Sequence, residues 1–295
     1  MRGHDGFENA AALLPADIRA DALSLSAELK SSAEEIRLRA GSRPTLLRAE
    51  HETPFARREI CTRDLDTLLE AATRASAHTA LENVSSGFVT VRGGCRVGLS
   101  GMVSEQGGRV LTLRRLGSVA LRIAREKRGC ADGIFTALCD RGFADTLILS
   151  PPGGGKTTLL RELIRRLSED WRVSLIDERG EVAGVWEGLP ELDVGVHTDI
   201  VTGADKRSGA AMLIRAMNPQ ILAMDEITAP EDIEAVRLAA GCGVKLLATA
   251  HAADEADFMR RPLYRELASL GVFRRFVIIG RTPRGREYTL REARI

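Results

Sequence analysis

The stretch Thr146-Leu-Ile-Leu-Ser-Pro-Pro-Gly-Gly-Gly-Lys-Thr-Thr-Leu-Leu160 sets the strongest limit on what this chain can fold into. An apolar run enters a glycine-rich turn, followed by Lys156 and Thr157. Leu159, Leu160, Leu163, Ile164 and Leu167 then recur at helical spacing. A buried strand thus delivers the chain to one point. Glycines without side chains let backbone N–H groups close around anionic oxygens, and the helix N-terminus adds the positive end of its dipole. That order suits a nucleoside triphosphate. The expected contacts are Pro151, Pro152, Gly153, Gly154, Gly155, Lys156, Thr157 and Thr158, with Lys156 on the β- and γ-phosphates and the Thr157 hydroxyl on Mg²⁺. The strict pattern has glycine at position 150, where this chain has Ser150. A small side chain at the strand exit is sterically mild. The competing reading is a Gly/Pro turn with a solvated lysine. Lysine is scarce, however: 5 of the 42 basic residues.

Downstream, short apolar runs alternate with amphipathic segments. Strands are expected at Leu147–Leu149, Val173–Ile176, Ile221–Met224, Val244–Thr249 and Phe276–Ile279. Helices are expected at Lys156–Leu167, Arg207–Met217, Glu231–Ala240 and Glu255–Leu270, with a long glycine-dotted loop past His197. This pattern predicts an α/β fold, a mainly parallel sheet covered on both faces, with ligands at the strands' carboxyl ends. Upstream, after a loose start over residues 1–12, helical spacing marks Leu13–Leu29 and Thr62–Ala75. Alternation marks Glu35–Arg39 and Thr45–Arg48, and Gly87–Arg92, Gly93-Gly94 and Cys95–Ser100 read as a hairpin, with Val110–Leu113 alongside. Val119–Arg128 reads as a basic strand or helix. The expected organisation is a smaller α+β N-terminal domain over 1–130 and a second domain over 131–295.

Three further strand ends carry chemistry. Gln220-Ile-Leu-Ala-Met-Asp-Glu226 closes on two carboxylates: Asp225 is suited to hold Mg²⁺ and Glu226 to orient an attacking water. Ser174-Leu-Ile-Asp-Glu178 repeats the arrangement, and Asp177 and Glu178 would shape the metal site or polarise water. Otherwise this is a surface turn with an Arg179–Glu181 charge pair. Leu246–His251 ends a third strand, where Thr249 and His251 are placed to sense the γ-phosphate or to serve only structurally.

A net charge of +1 exerts no global pull toward nucleic acid or an anionic membrane. The basic excess is local: Arg109, Arg114, Arg115, Arg122, Arg125, Lys127 and Arg128 stand against Glu126 alone. That run is either a solvated face or a phosphate-contacting one. With 4% aromatic residues there are few stacking platforms, which disfavours a nucleic-acid-associated P-loop ATPase. Five scattered cysteines without a CxxC pair point to a reducing compartment and no structural zinc. No apolar run approaches the ~18 residues of a membrane span, so a cytoplasmic protein is expected, peripheral at a membrane through partners.

Taken in order, Ser150–Thr158, Ile176-Asp-Glu-Arg-Gly-Glu181, Leu213-Ile-Arg-Ala-Met-Asn-Pro219, Met224-Asp-Glu-Ile227 and Thr249-Ala-His251 resemble the secretion-superfamily ATPases, the motors of type II and IV secretion and type IV pili. Glu35–Arg39, Gly87–Gly94, Arg96–Gly101 and Leu121–Arg125 are more closely similar to the sporulation stage III AA family of endospore formers. The resemblance implies a RecA-like P-loop core, ATP hydrolysis with Mg²⁺ and a hexameric ring. It also implies a membrane channel complex between mother cell and forespore as partner. Lys156 and Thr157 would be Walker A, Asp225 and Glu226 Walker B, and Asp177, Glu178 and Glu181 the acidic box. His251 would be the histidine box, with Arg96 and Arg114 approaching the nucleotide. The chain departs from the secretion motors in having Ile227-Thr228 after Glu226 where they have an arginine, and it lacks their four-cysteine insert. An ATP-gated scaffold with negligible turnover is the remaining alternative.

Overall fold

The computed structural model describes residues 6–49, 51–73, 87–106, 109–282 and 285–293. Two units emerge, Met1–Arg125 with Gly184–Leu192, and Glu126–Ala183 with Asp193–Ile295.

In the first unit, α1 (Gly6–Ala11), α2 (Ala16–Leu23) and α3 (Ala27–Ser32) precede β1 (Glu35–Arg39), β2 (Thr45–Arg48) and β3 (His51–Pro54). Then come α4 (Thr62–Thr73), β4 (Phe88–Thr90), β5 (Arg96–Gln106) and β6 (Arg109–Arg122). The strands form one antiparallel sheet in the order β3-β2-β1-β6-β5-β4. Period-two alternation puts Ile36 and Leu38 of β1 in the core with Val97, Val119 and Leu121. Phe7, Ile18, Leu65 and Leu68 from the helices complete it. The helical spacing of Leu13–Leu29 resolves into two helices, because Ser26 starts α3 by accepting a hydrogen bond from Leu29 N. Residues 74–75 of the helix expected over Thr62–Ala75 lie outside the described residues.

The basic run follows β6 into the connection. Arg122 pairs with Glu35 at 3.0 Å, Arg125 donates to the Ala33 carbonyl at 2.7 Å, and Arg128 meets Asp193 at 2.8 Å. Three of the seven basic residues of the run thus have partners within their own unit.

The second unit contains α5 (Asp132–Cys139), β7 (Thr146–Leu149), α6 (Lys156–Leu167), β8 (Val173–Asp177), β9 (Thr198–Thr202) and α7 (Lys206–Met217). After these come β10 (Ile221–Met224), α8 (Pro230–Gly241), β11 (Lys245–Ala250), α9 (Glu255–Arg260), α10 (Pro262–Ser269), β12 (Arg275–Thr282) and β13 (Gly285–Glu292). The sheet order is β13-β12-β7-β11-β10-β8-β9, parallel throughout except for β13 at one edge. β7, β8 and β10 are buried along their whole length, which is why they read as continuous apolar runs rather than alternating ones. This is a RecA-like P-loop core preceded by a smaller α+β domain.

Several features differ from the sequence expectation: α1 lies within the expected loose start over residues 1–12, and β3 and α5 were not expected. β9 occupies what reads as loop, since its residues are only half-buried at a sheet edge. β13 is almost wholly exposed and so carries no hydrophobic alternation. The helix expected over Glu255–Leu270 breaks at Arg261, because Pro262 disfavours a helical conformation in the residue before it. The excursion Gly184–Leu192, which joins the first unit, was also illegible in composition. Its Glu191 accepts from Gly93 N at 2.8 Å within that unit.

Candidate functional site

Because β7, β8, β10 and β11 run parallel, their carboxyl ends emerge at one sheet edge. The loops after them therefore meet.

After β7, Gly153 (φ +69°) and Gly155 (φ +103°) take backbone conformations that a side chain would strain. Gly154 is required for a different reason. A Cβ there would stand 1.7 Å from Ser150 Oγ, so the serine occupies the space that the glycine vacates. Ser150 and the glycine run thus fit each other, and the departure at position 150 is accommodated locally. Lys156, buried at the start of α6, directs its ammonium to Ser150 O at 3.2 Å, Pro151 O at 3.4 Å and His251 Nδ1 at 2.8 Å. Burial pushes its pKa down, against the upward pull of Glu226 and Asp225.

Thr157 Oγ1 donates to Asp225 Oδ2 at 2.8 Å, and Thr249 Oγ1 donates to Asp225 Oδ1 at 2.6 Å. Thr249 in turn accepts from Glu226 N at 2.8 Å. That contact matters because Glu226 sits at φ +48°. A non-glycine residue in the left-handed region costs about 1–2 kcal/mol, and surrounding hydrogen bonds must hold it there. Glu226 then extends one oxygen to His251 Nε2 at 3.0 Å and the other to Arg179 Nη1 at 3.0 Å. Since an ammonium can only donate, His251 Nδ1 accepts from Lys156, leaving the proton on Nε2 to be donated to Glu226. His251 therefore bridges the lysine and the carboxylate.

Beside these, Lys206 at the start of α7 is buried and pairs with Glu178 at 2.7 Å and Asp232 at 3.4 Å. Asp232 accepts from Thr228 N at 2.7 Å and Ala229 N at 3.1 Å, in the loop that follows Glu226. Tyr264 of α10 donates to Ile227 O at 3.2 Å and accepts from His251 N at 3.0 Å, joining the loops after β10 and β11. Its ring stacks on Phe258 at 5.0 Å between centroids.

Asp177 requires a correction to its expected place in the metal site. It is buried, and its two oxygens accept from Glu181 N at 2.9 Å, Val182 N at 3.1 Å and Ala183 N at 2.8 Å. Burial pushes its carboxyl pKa up, and these amides pull it back. The group is committed to shaping the 181–183 turn, which buried Arg161 grips from the other side at Glu181 O and Val182 O. Arg179 likewise pairs with Glu226, not with Glu181. His197 bonds the Ser168 carbonyl at 2.7 Å.

Thr249→Val tests what holds the strained glutamate. The change conserves shape but leaves Glu226 N and Asp225 each short of a partner, so stability should fall by about 1–3 kcal/mol in denaturant melts. Thr249→Ser, which keeps the hydroxyl, should lose much less. Equal stability of the valine variant and the wild type would show that the hydroxyl is not the brace.

The model of the family described as sporulation stage III, protein AA, matches residues 7–288. The chain belongs to that family. Stage III sporulation protein AA of Bacillus subtilis (strain 168) is 35% identical over 254 residues, covering 84% of this chain and 82% of that protein. The fold recurs in the solved ATPases DotB of Legionella pneumophila and Yersinia pseudotuberculosis. The first has a TM-score of 0.60 at 18% identity, covering 93% of this chain and 80% of that one. The second has a TM-score of 0.59 at 15% identity, covering 93% and 79%.

In this stage III AA chain the structure brings Lys156, Thr157, Asp225, Glu226 and His251 together in one hydrogen-bonded cluster, with Glu178 joined to the post-Glu226 loop through Lys206 and Asp232. Pro151 and Pro152 lie exposed in the loop, and Thr158 is half-buried on α6. Arg96 and Arg114 belong to the first unit, where Arg96 stacks over the Phe88 ring at 3.7 Å and Arg114 is exposed on β6. Sequence reasoning missed Lys206, Arg179, Arg161 and Tyr264. For Lys206 the signal was present: it is one of the same five lysines whose scarcity singled out Lys156.

Proposed function

We propose that this chain is an ATP-hydrolysing motor or assembly ATPase, working as a homo-oligomeric, hexameric ring on a membrane channel complex. The observation that carries the reading is the contact of Thr157 Oγ1 with Asp225 at 2.8 Å beneath a glycine loop, with Glu226 and Lys156 joined through His251. A hydroxyl and a carboxylate so placed fit Mg²⁺, which is commonly held by one or two carboxylates plus substrate phosphates. Thr157 and Asp225 would hold the ion, which when bound neutralises phosphate charge. Lys156 would turn from its carbonyl and imidazole partners toward the phosphates, and the loop amides would bind the oxygens between. Glu226 would accept a hydrogen bond from the attacking water, with His251 orienting its carboxylate.

Support for the biological setting comes from family membership, from the name of the Bacillus subtilis relative, and from the fold shared with the DotB ATPases. The channel between mother cell and forespore is the proposed partner, and arginines of the N-terminal unit, Arg96 and Arg114 among them, are proposed to reach nucleotide. No helix of the described residues is long and apolar enough to cross a membrane, and the proposed attachment is through protein partners. Phosphate-release assays should show Mg²⁺-dependent ATP turnover, and light scattering should show a multi-subunit particle with ATP·Mg²⁺. A strict monomer at high concentration with and without nucleotide would sink the ring model, and measurable binding without turnover would leave an ATP-gated scaffold.

A further inference from the structure

β12 runs parallel to β7, with Arg275–Ile278 in register against Thr146–Leu149. Its last residues therefore leave the sheet at the edge from which the glycine loop departs. There β13 pairs antiparallel with it, and Arg281 stands directly opposite Arg286. Like charges facing one another across antiparallel strands are destabilising. Arg275, at the other end of the same hairpin, has a carboxylate partner in Glu292 at 3.2 Å. Among the described residues neither Arg281 nor Arg286 has one.

Both arginines instead lie on the phosphate loop. Arg281 Nη2 donates to Gly153 O at 3.0 Å. The Arg286 guanidinium packs against Gly155, its Cζ 2.6 Å from where a Cβ would stand. Gly155 thus serves twice, through its φ of +103° and through the room it leaves for a guanidinium. A repulsive pair held beside the glycine loop is stabilised once an anion arrives, and planar guanidinium forks match phosphate oxygens.

We propose that Arg281 and Arg286 of the C-terminal hairpin form a second cationic element of the nucleotide site, binding the phosphate chain with the glycine loop and favouring triphosphate over diphosphate. The inference rests on the nucleotide reading above. The hairpin, distant in sequence from the loop, thereby becomes part of the binding machinery.

The test is calorimetry on the full chain with Mg²⁺, using ADP and a non-hydrolysable ATP analogue. The proteins are wild type, Arg286→Ala, the double variant Arg281→Ala/Arg286→Ala, Arg286→Lys, and Lys156→Ala as the control. The double variant should bind the analogue about tenfold or more weakly, the usual scale for hydrogen bonds to charged groups. It should lose less affinity for ADP and show a shallower salt dependence, while Arg286→Lys, which keeps the charge but not the guanidinium fork, should fall between the wild type and Arg286→Ala. Both positions are exposed, so melting curves should match the wild type. The proposal is overturned if the double variant binds both nucleotides like the wild type while Lys156→Ala abolishes binding. Equal losses for ADP and for the analogue in the double variant would overturn the preference for triphosphate and so the proposal as stated. Wild-type protein that binds neither nucleotide removes the nucleotide reading and this inference together, a pattern distinct from both of those.

Discussion

Glu226→Gln should lower ATP turnover by about 10²–10³-fold while leaving ATP·Mg²⁺ affinity within a few-fold of the wild type. The carboxamide keeps the shape of the side chain and can still accept from Arg179, which now bonds the glutamate at 3.0 Å. It cannot keep the negative charge that attracts a water proton, nor can its NH₂ group accept from His251 Nε2–H. Backbone placement should survive, because Thr249 and Asp225 hold the Glu226 amide and not its side chain. Phosphate release paired with calorimetry separates the two effects. If turnover persists in this variant, Glu178 becomes the leading candidate for orienting water.

Lys206→Met should be the most destabilising single change near the site. The lysine is 4% exposed and stands between Glu178 and Asp232. Removing one partner of a buried ion pair leaves charge without compensation, which typically costs about 3–5 kcal/mol. Here the loss should be nearer about 2–3 kcal/mol, because Asp232 retains two amide donors and Glu178 can turn to solvent. Thermal unfolding should therefore move down by roughly 5–10 °C. The same change loosens the link from Glu178 to the loop that follows Glu226, so kcat should fall while nucleotide affinity is kept. Unchanged melting and unchanged kcat together would refute both the pairing and its role. Affinity falling in step with kcat would instead point to a general distortion of the loop.

The chemistry of the strand ends was legible because it is carried by short contiguous runs. Ser150–Thr158 and Met224-Asp-Glu226 each contain both the element that aims the residues and the residues that are aimed. The buried parallel strands were equally plain, since burial on both faces demands uninterrupted apolar residues. Asp177 misled for the complementary reason. An acid at a strand end looks the same in sequence whether it faces a metal or binds its own turn, and only the amides of residues 181–183 distinguish the two.

What the amino-acid order determined alone is the set of local units: a glycine loop on a helix, and paired acids on strand tips. Tertiary structure decided which of these units touch. Parallel register brought Thr157 to Asp225 and His251 to both Lys156 and Glu226, across separations of 68, 95 and 25 residues. It also selected Lys206, Tyr264 and the arginines of β12 and β13, none of which lies in a motif. The physical reason is that contact between distant segments depends on strand order and register, set by burial over the whole sheet, and no window of neighbouring residues contains that information.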